Sequence, residues 1–213
     1  MLEIKSFTFG PFQTNTYVVL DGQGNALLID PACCYRHEQE QLAAYLQPYA
    51  LQAVLATHGH LDHLWGAHWA SEHWHMPVRL HDADRPMVDA MQMQYDMFGI
   101  RMTAEPFETA PLTGNFAGCM QAGLQVIETP GHTPGSVCLF WEKEKVLLSG
   151  DTLFCAGFGR TDLPGGDVQA LITSLQHLLR LPEDTQVYPG HGQKTVISDE
   201  RTSLRSIFRN PLT

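Results

Sequence analysis

Thr57-His58-Gly59-His60-Leu61-Asp62-His63 decides how this chain is read. It places four side chains able to bind metal within six positions, straight after Leu51 to Ala56, a short apolar run that reads as a strand. Neutral imidazole and carboxylate are donors that suit zinc, iron or manganese. His58 and His60 lie two apart on a turn, whereas Asp62 and His63 are adjacent, and adjacent side chains diverge. The stretch therefore points to two ions side by side, with His58 and His60 serving one and Asp62 and His63 the other. The competing reading, a polar loop with coincidental histidines, is disfavoured by the position of the stretch at a strand end.

The neighbouring sequence supplies the frame. Val18-Val19-Leu20, the turn Asp21 to Gly24, and Ala26-Leu27-Leu28-Ile29 read as a hairpin ending at Asp30. Residues 36–47 have helical spacing in Leu42, Tyr45 and Leu46. The second half repeats the order. Val137 to Trp141, a polar turn and Val146 to Leu148 form a hairpin ending at Asp151, a helix is predicted over 167–180, and Thr185 to Tyr188 is a strand. Each half thus runs hairpin, Asp, helix, strand, His. Residues 82–118 between them are irregular and rich in Met and Pro. Met87/Met91 and Met93/Met97 are i, i+4 pairs, so a helix packing its Met face on the core is expected there, with an adaptable apolar wall over a substrate as the sharper alternative.

Three more turns carry the same chemistry. Gly131-His132-Thr133-Pro134-Gly135, Ser149-Gly150-Asp151-Thr152 and Pro189-Gly190-His191-Gly192 each follow or join apolar strands. A His in a turn such as GHTPG is alone more often structural than functional, and an Asp after a strand also reads as a simple loop cap. Together with the first stretch they give five His and two Asp, enough for two sites if Asp151 bridges. Asp30 is a candidate partner for a ligand imidazole N–H, or a simple turn cap. Arg160, in Gly157-Phe158-Gly159-Arg160-Thr161-Asp162, either meets substrate or ties its own loop through Asp162 or Asp167.

Composition narrows the class. The chain has 213 residues, 44% of them hydrophobic, and 13 Lys+Arg against 23 Asp+Glu give a net charge of −10. That length and apolar content suffice for a packed core and exclude a disordered chain. The acid excess disfavours a nucleic-acid partner, and no apolar run reaches the roughly 20 residues of a membrane span. MLEIKSFTFG at the start lacks a basic stretch followed by an apolar core, so no export signal is expected. Five cysteines without CxxC spacing read as buried or partly buried thiols of a cytoplasmic protein.

The motifs THGHLDH, GHTPGS, SGDTLF, GFGRTDLPGGD and PGHG occur in an order that resembles the metallo-β-lactamase fold superfamily, over nearly all of residues 7–210. GDTLF and GRTDLPGGD resemble its glyoxalase II-like (hydroxyacylglutathione hydrolase-like) branch. The resemblance implies an α/β fold, a four-layered αβ/βα sandwich with two mixed sheets face to face and helices outside, as one domain over 1–213. It implies two divalent metal ions, zinc first, with iron or manganese as alternatives. His58, His60 and His132 would hold one ion, Asp62, His63 and His191 the other, and Asp151 would bridge. Asp62 and Asp151 would be catalytic and Arg160 substrate-binding. The activity implied is hydrolysis of a small-molecule thioester such as S-D-lactoylglutathione, by a hydroxide bridging the ions, with no nucleic-acid or membrane partner. The alternatives are a mononuclear iron persulfide dioxygenase, using His58, His132 and Asp151, and a lactone or β-lactam hydrolase. Only 22 residues follow His191, so the chain resembles a compact bacterial-type variant without the C-terminal helical region that binds glutathione. Arg201, Arg205 and Arg209, four apart, read as a solvated helix face.

Overall fold

The computed structural model describes residues 2–112 and 123–205. The chain falls into two compact units, Met1–Ala122 and Gly123–Thr213, each built on one mixed sheet.

In the first unit β1 (Glu3–Phe9), β2 (Thr14–Leu20) and β3 (Asn25–Ile29) are antiparallel neighbours. The β2–β3 turn closes because the Asp21 carboxylate accepts from the backbone N–H groups of Gln23 (2.7 Å) and Asn25 (3.1 Å), a local bond that Asp makes readily in turns. Helix α1 (Arg36–Leu46) then crosses over, so that β4 (Ala50–Leu55) joins parallel to β3, followed by β5 (Val78–Leu80) and β6 (Thr109–Pro111) in parallel. Val18, Leu20, Leu28 and Val54 pack against Leu42 and Leu46 of α1 and Ala67 and Ala70 of α3 (Ala67–Trp74). The alternate residues Val19, Leu27, Ile29 and Leu55 are buried too. Strands covered on both faces read as continuous apolar runs, as these do in the sequence. Each buried Leu or Val contributes about 1.5–3 kcal/mol of transfer free energy.

In the second unit β7 (Leu124–Glu128), β8 (Val137–Trp141) and β9 (Val146–Gly150) are antiparallel. A small hairpin, β10 (Leu153–Phe154) with β11 (Gly157–Phe158), precedes helix α6 (Val168–Leu178). Asp167 caps α6 by accepting from the N–H groups of Gln169 and Ala170, which satisfies two of its orphan donors. β12 (Gln186–Pro189) returns parallel to β9, and β13 (Thr195–Val196) closes the edge before α7 (Ile197–Ser203). Leu171, Leu175 and Leu178 of α6 pack on Cys138, Phe140, Leu147 and Val187. The half-repeat is therefore structural: hairpin, helix and parallel strand recur as β2–β3, α1, β4 and as β8–β9, α6, β12. Two mixed sheets with helices are the fold class the sequence implies.

Two expectations change. The Met-rich stretch is not one helix but two, α4 (Arg85–Asp89) and α5 (Met91–Met97), broken at Ala90 (φ −97°, ψ 22°). The break resets the helical phase. Met91 is buried (7% exposed), while Met93 and Met97 face solvent (60% and 51%). The pair Met93/Met97 thus does not pack on the core. In the tail, Arg201 is not a solvated residue: its guanidinium donates to the carbonyls of Leu179 and Leu181 and pairs with Glu183. Arg209 lies outside the described residues.

Cys33, Cys34, Cys138 and Cys155 are free thiols, and Cys119 lies outside the described residues. Burial pushes the Cys138 thiol up to about 11, and burial with the nearby Glu38 carboxylate takes Cys34 to about 12. Thiols held protonated in this way are poor nucleophiles. Among the described residues no helix is long and apolar enough to cross a membrane.

Candidate metal centre

The first unit gathers His58, His60, Asp62 and His63 on the turn after β4 and on the short helix α2 (Leu61–Leu64). The His58 ring centroid lies 4.9 Å from that of His60 and 4.1 Å from that of His63, and all three rings are buried. Asp30, just past β3, organises this turn. Its backbone is left-handed (φ 53°), a conformation that costs a non-glycine residue roughly 1–2 kcal/mol. The Thr16 hydroxyl donates to the Asp30 carbonyl at 2.6 Å, and the Asp30 N–H donates to the Leu55 carbonyl at 2.9 Å. So placed, the buried carboxylate accepts from the Thr57 N–H (2.7 Å), the Thr57 hydroxyl (2.8 Å) and His63 Nδ1 (2.9 Å). A carboxylate only accepts, so His63 Nδ1 carries the proton and its Nε2 carries the lone pair. Asp30 is thus the imidazole partner that the sequence offered as one of two readings. Asp62 is held by a residue the sequence did not mark: the Thr14 hydroxyl donates to Asp62 Oδ2 at 2.8 Å.

The second unit gathers His132, Asp151 and His191 from three loops. His132 Nδ1 donates to the Arg160 carbonyl at 2.7 Å, which again leaves the lone pair on Nε2, able to face a cation. Both His132 Nε2 and His191 Nε2 lie 3.5 Å from Asp151 Oδ2. Gly159 lets the loop pass this close. A Cβ there would sit 1.9 Å from the Asp151 carbonyl oxygen and 2.9 Å from His132 Nδ1, so no other residue fits without moving backbone. The Arg160 side chain points away from that contact and pairs with Asp162 through two hydrogen bonds of 2.6 and 2.7 Å. This bond holds the Asp162 carboxyl down to about 2 and raises the guanidinium.

The donor sets fit divalent metal. Two ligand atoms that are each about 2.0–2.1 Å from one tetrahedral ion lie about 3.4 Å apart. The separations seen are 3.5 Å for His132 and for His191 to Asp151, and 3.6 Å from His63 Nε2 to Asp62 Oδ2. For His63 and His132, whose Nδ1 atoms donate elsewhere, the atoms in view are an imidazole lone pair and a carboxylate oxygen, two acceptors whose common complement is a cation. The Nδ1 contacts of His63 and His132 are of the kind that orients imidazoles toward a metal. The remaining histidines behave as packing or surface residues: His73 stacks on Trp69 (5.1 Å) and His68 bonds the Pro106 carbonyl.

Fold and donor chemistry define a class, and comparison with known proteins agrees. The chain matches the metallo-beta-lactamase superfamily over residues 9–191 and belongs to it. It is 32% identical over 206 residues to a hydroxyacylglutathione hydrolase, GloC, of Haemophilus influenzae, covering 90% of this chain and 92% of the relative. Among solved structures it resembles TTHA1623 in a di-iron-bound form, with a TM-score of 0.82 and 34% identity over 98% of this chain and 100% of that one. It also resembles the BLEG-1 B3 metallo-beta-lactamase, with a TM-score of 0.77 and 34% identity over 94% and 97% of the two chains. The chain is a metal-dependent hydrolase of this superfamily.

Proposed function

We propose that the protein hydrolyses thioesters of the hydroxyacylglutathione type, S-D-lactoylglutathione to D-lactate and glutathione, at a dinuclear centre. His58, His60 and His132 would hold one ion, Asp62, His63 and His191 the other, and Asp151 would serve both. The observation that carries the reading is Asp151, whose Oδ2 stands 3.5 Å from His132 and from His191, histidines assigned to different ions. Two divalent ions, zinc first among candidates that include iron and manganese, lower the pKa of a shared water toward neutrality and take up charge on the carbonyl oxygen when bound.

The chain's own residues supply the rest. Asp62, steadied by Thr14, orients the water. The water gives a proton to the Asp62 carboxylate or to solvent, its oxygen adds to the thioester carbon, the C–S bond breaks, and the sulfur leaves as thiolate with its electron pair. A thiolate whose parent thiol has a pKa of about 8.5 leaves without a general acid, which suits a site whose titratable groups are committed as ligands. Arg160 meets a carboxylate of the glutathione moiety. The GRTDLPGGD segment and the likeness to GloC support this substrate. We place the reaction in the cytoplasm, on a soluble small molecule, in keeping with four free thiols.

The test follows S-D-lactoylglutathione hydrolysis by metal-loaded protein beside Asp151→Ala, with metals counted on the same samples. Turnover with about two ions per chain, lost in the variant, is the expected result. Full activity and metal content in Asp151→Ala would remove the bridge. The likeness to BLEG-1 favours β-lactam cleavage as a second reading. Hydrolysis of a chromogenic cephalosporin without thioester turnover would establish it. Oxygen uptake with glutathione persulfide by protein holding a single iron would instead identify a dioxygenase.

A further inference from the structure

The turn that carries His58 and His60 is buried from Thr57 to Leu61, yet it belongs to neither strand nor helix until Leu61. Its backbone polar groups therefore need partners from elsewhere. Two side chains of the segment after β5 provide them. The carboxylate of Asp84, fully buried in a 3-10 turn (Asp82–Asp84), accepts from the Gly59 N–H at 2.8 Å. The side-chain amide of Gln94, on α5, does the rest: its Nε2 donates to the Gly59 carbonyl at 3.0 Å and to the Met87 carbonyl at 3.0 Å, while its Oε1 accepts from the Leu61 N–H at 3.0 Å. Both amide hydrogens are thus in use.

We infer that Gln94, acting with Asp84, is a positioning residue that sets the angle between His58 and His60 and so determines the affinity of the ion they share. This rests on the reading of those two histidines as ligands of one ion. The Gly59 N–H lies in the peptide plane that joins residues 58 and 59, its carbonyl lies in the plane joining 59 and 60, and the Leu61 N–H lies in the plane joining 60 and 61. Three consecutive planes are therefore held, and with them the directions in which both imidazoles leave the backbone. A glycine between the two ligands is the residue that most needs such holding, because its backbone is otherwise the most permissive. Packing reinforces the clamp: a Cβ at Gly59 would lie 3.1 Å from the Cβ atoms of Asp84 and Met87. Asp62 and His63 are held separately, by Thr14 and Asp30. Loss of the clamp accordingly weakens one ion and spares the other.

The experiment compares wild type with Gln94→Met, which keeps the side-chain length and removes the hydrogen bonds. Metal affinities are measured by competition with a chromophoric chelator, visible spectra are recorded after cobalt substitution, and the melting temperature of the metal-free protein is taken as the control for folding. Expected are a loss of at least 10-fold in affinity for one ion, an altered cobalt spectrum, an unchanged second ion and a near-native apo melting temperature. Wild-type affinities for both ions overturn the inference. So does equal weakening of both with a lowered apo melting temperature, which marks a general prop. If wild type itself binds one ion, the two-ion reading fails, and the same 10-fold criterion on that ion still decides for or against the clamp. Should Gln94→Met not fold, Gln94→Glu retains the acceptor for Leu61 and places an acceptor against the Gly59 carbonyl, and the same criteria apply.

Discussion

In the first unit the turn from His58 to His63 is held by side chains, with Asp30 on His63, Thr14 on Asp62, and Asp84 and Gln94 on the backbone around Gly59. In the second unit the holding is done by backbone: the Arg160 carbonyl fixes His132, and the bare Cα of Gly159 lies against Asp151 and His132. The difference has a physical source. His58 to His63 follow one another on a single turn, so their spacing depends on how that turn is braced from outside. His132, Asp151 and His191 arrive from loops far apart in sequence, so what matters is how closely those loops approach. Side-chain bracing is graded, because each of its bonds can be lost separately. Backbone approach fails all at once.

The largest effect should therefore come from the second unit. Gly159→Ala puts a methyl group 1.9 Å from the Asp151 carbonyl oxygen, and both opposing groups are backbone or a ligand ring. Overpacking of this kind costs about 1–3 kcal/mol, occasionally more, and for a chain of this size each kcal/mol lowers the melting temperature by about 2–4 °C. A fall of roughly 2–12 °C is expected, together with loss of bound metal. A variant that melts within 2 °C of wild type and keeps its metal would show that this loop has slack.

Asp30→Asn tests the side-chain arm with a smaller expected change. The amide keeps the size of the carboxylate and one acceptor, so the Thr57 N–H can stay bonded to Oδ1, while the position of Oδ2, which takes both the Thr57 hydroxyl and His63 Nδ1, becomes NH2. It places an N–H donor before the ring nitrogen that has to donate, and His63 loses the bond that fixes its tautomer. Removal of such an outer bond costs metal affinity about 10–100-fold. Affinity within twofold of wild type would mean that Asp30 serves the turn through Thr57 alone, and the contrast between the units would narrow.

The difference between the arms also explains what the sequence could reveal. The candidate ligands stand out because His and Asp at strand ends have few other reasons to cluster, and the hairpins and α6 were legible from apolar runs and from Asp167 as a cap. Asp30 could be suspected because a carboxylate ends the first hairpin. Thr14, Asp84 and Gln94 could not. They are chemically ordinary residues, and they act on groups 48, 25 and 35 positions away, so only the folded chain identifies their targets. β1 was unread because its burial pattern mixes exposed and buried residues irregularly. The Met93/Met97 pair was misplaced because a single non-helical residue, Ala90, changes which face is buried. Gly159 sat in a recognised motif, but its reason for being glycine is a contact distance.

The smallest effect concerns Arg160, whose two halves belong to different arms. Its carbonyl holds His132, while its guanidinium is paired with Asp162 through Nε and Nη2, leaving the remaining edge to meet an anionic group. Arg160→Ala thus removes the charge and keeps the carbonyl, so metal content should stay native while KM for glutathione thioesters rises. Asp162→Asn should raise KM only about threefold with kcat unchanged, since exposed ion pairs couple weakly. The pH dependence has a definite sign. Asp162 is held down to about 2 by its hydrogen bond from Arg160, so the pair is fully formed above the ordinary carboxylate value of about 4 and is lost only as pH falls through about 2. Between pH 5 and 9 the ratio of the two KM values should therefore be flat. A ratio that changes across that window would mean that another titrating group positions the guanidinium, and a fall in metal content in Arg160→Ala would mean that the side chain, and not only the backbone, supports His132.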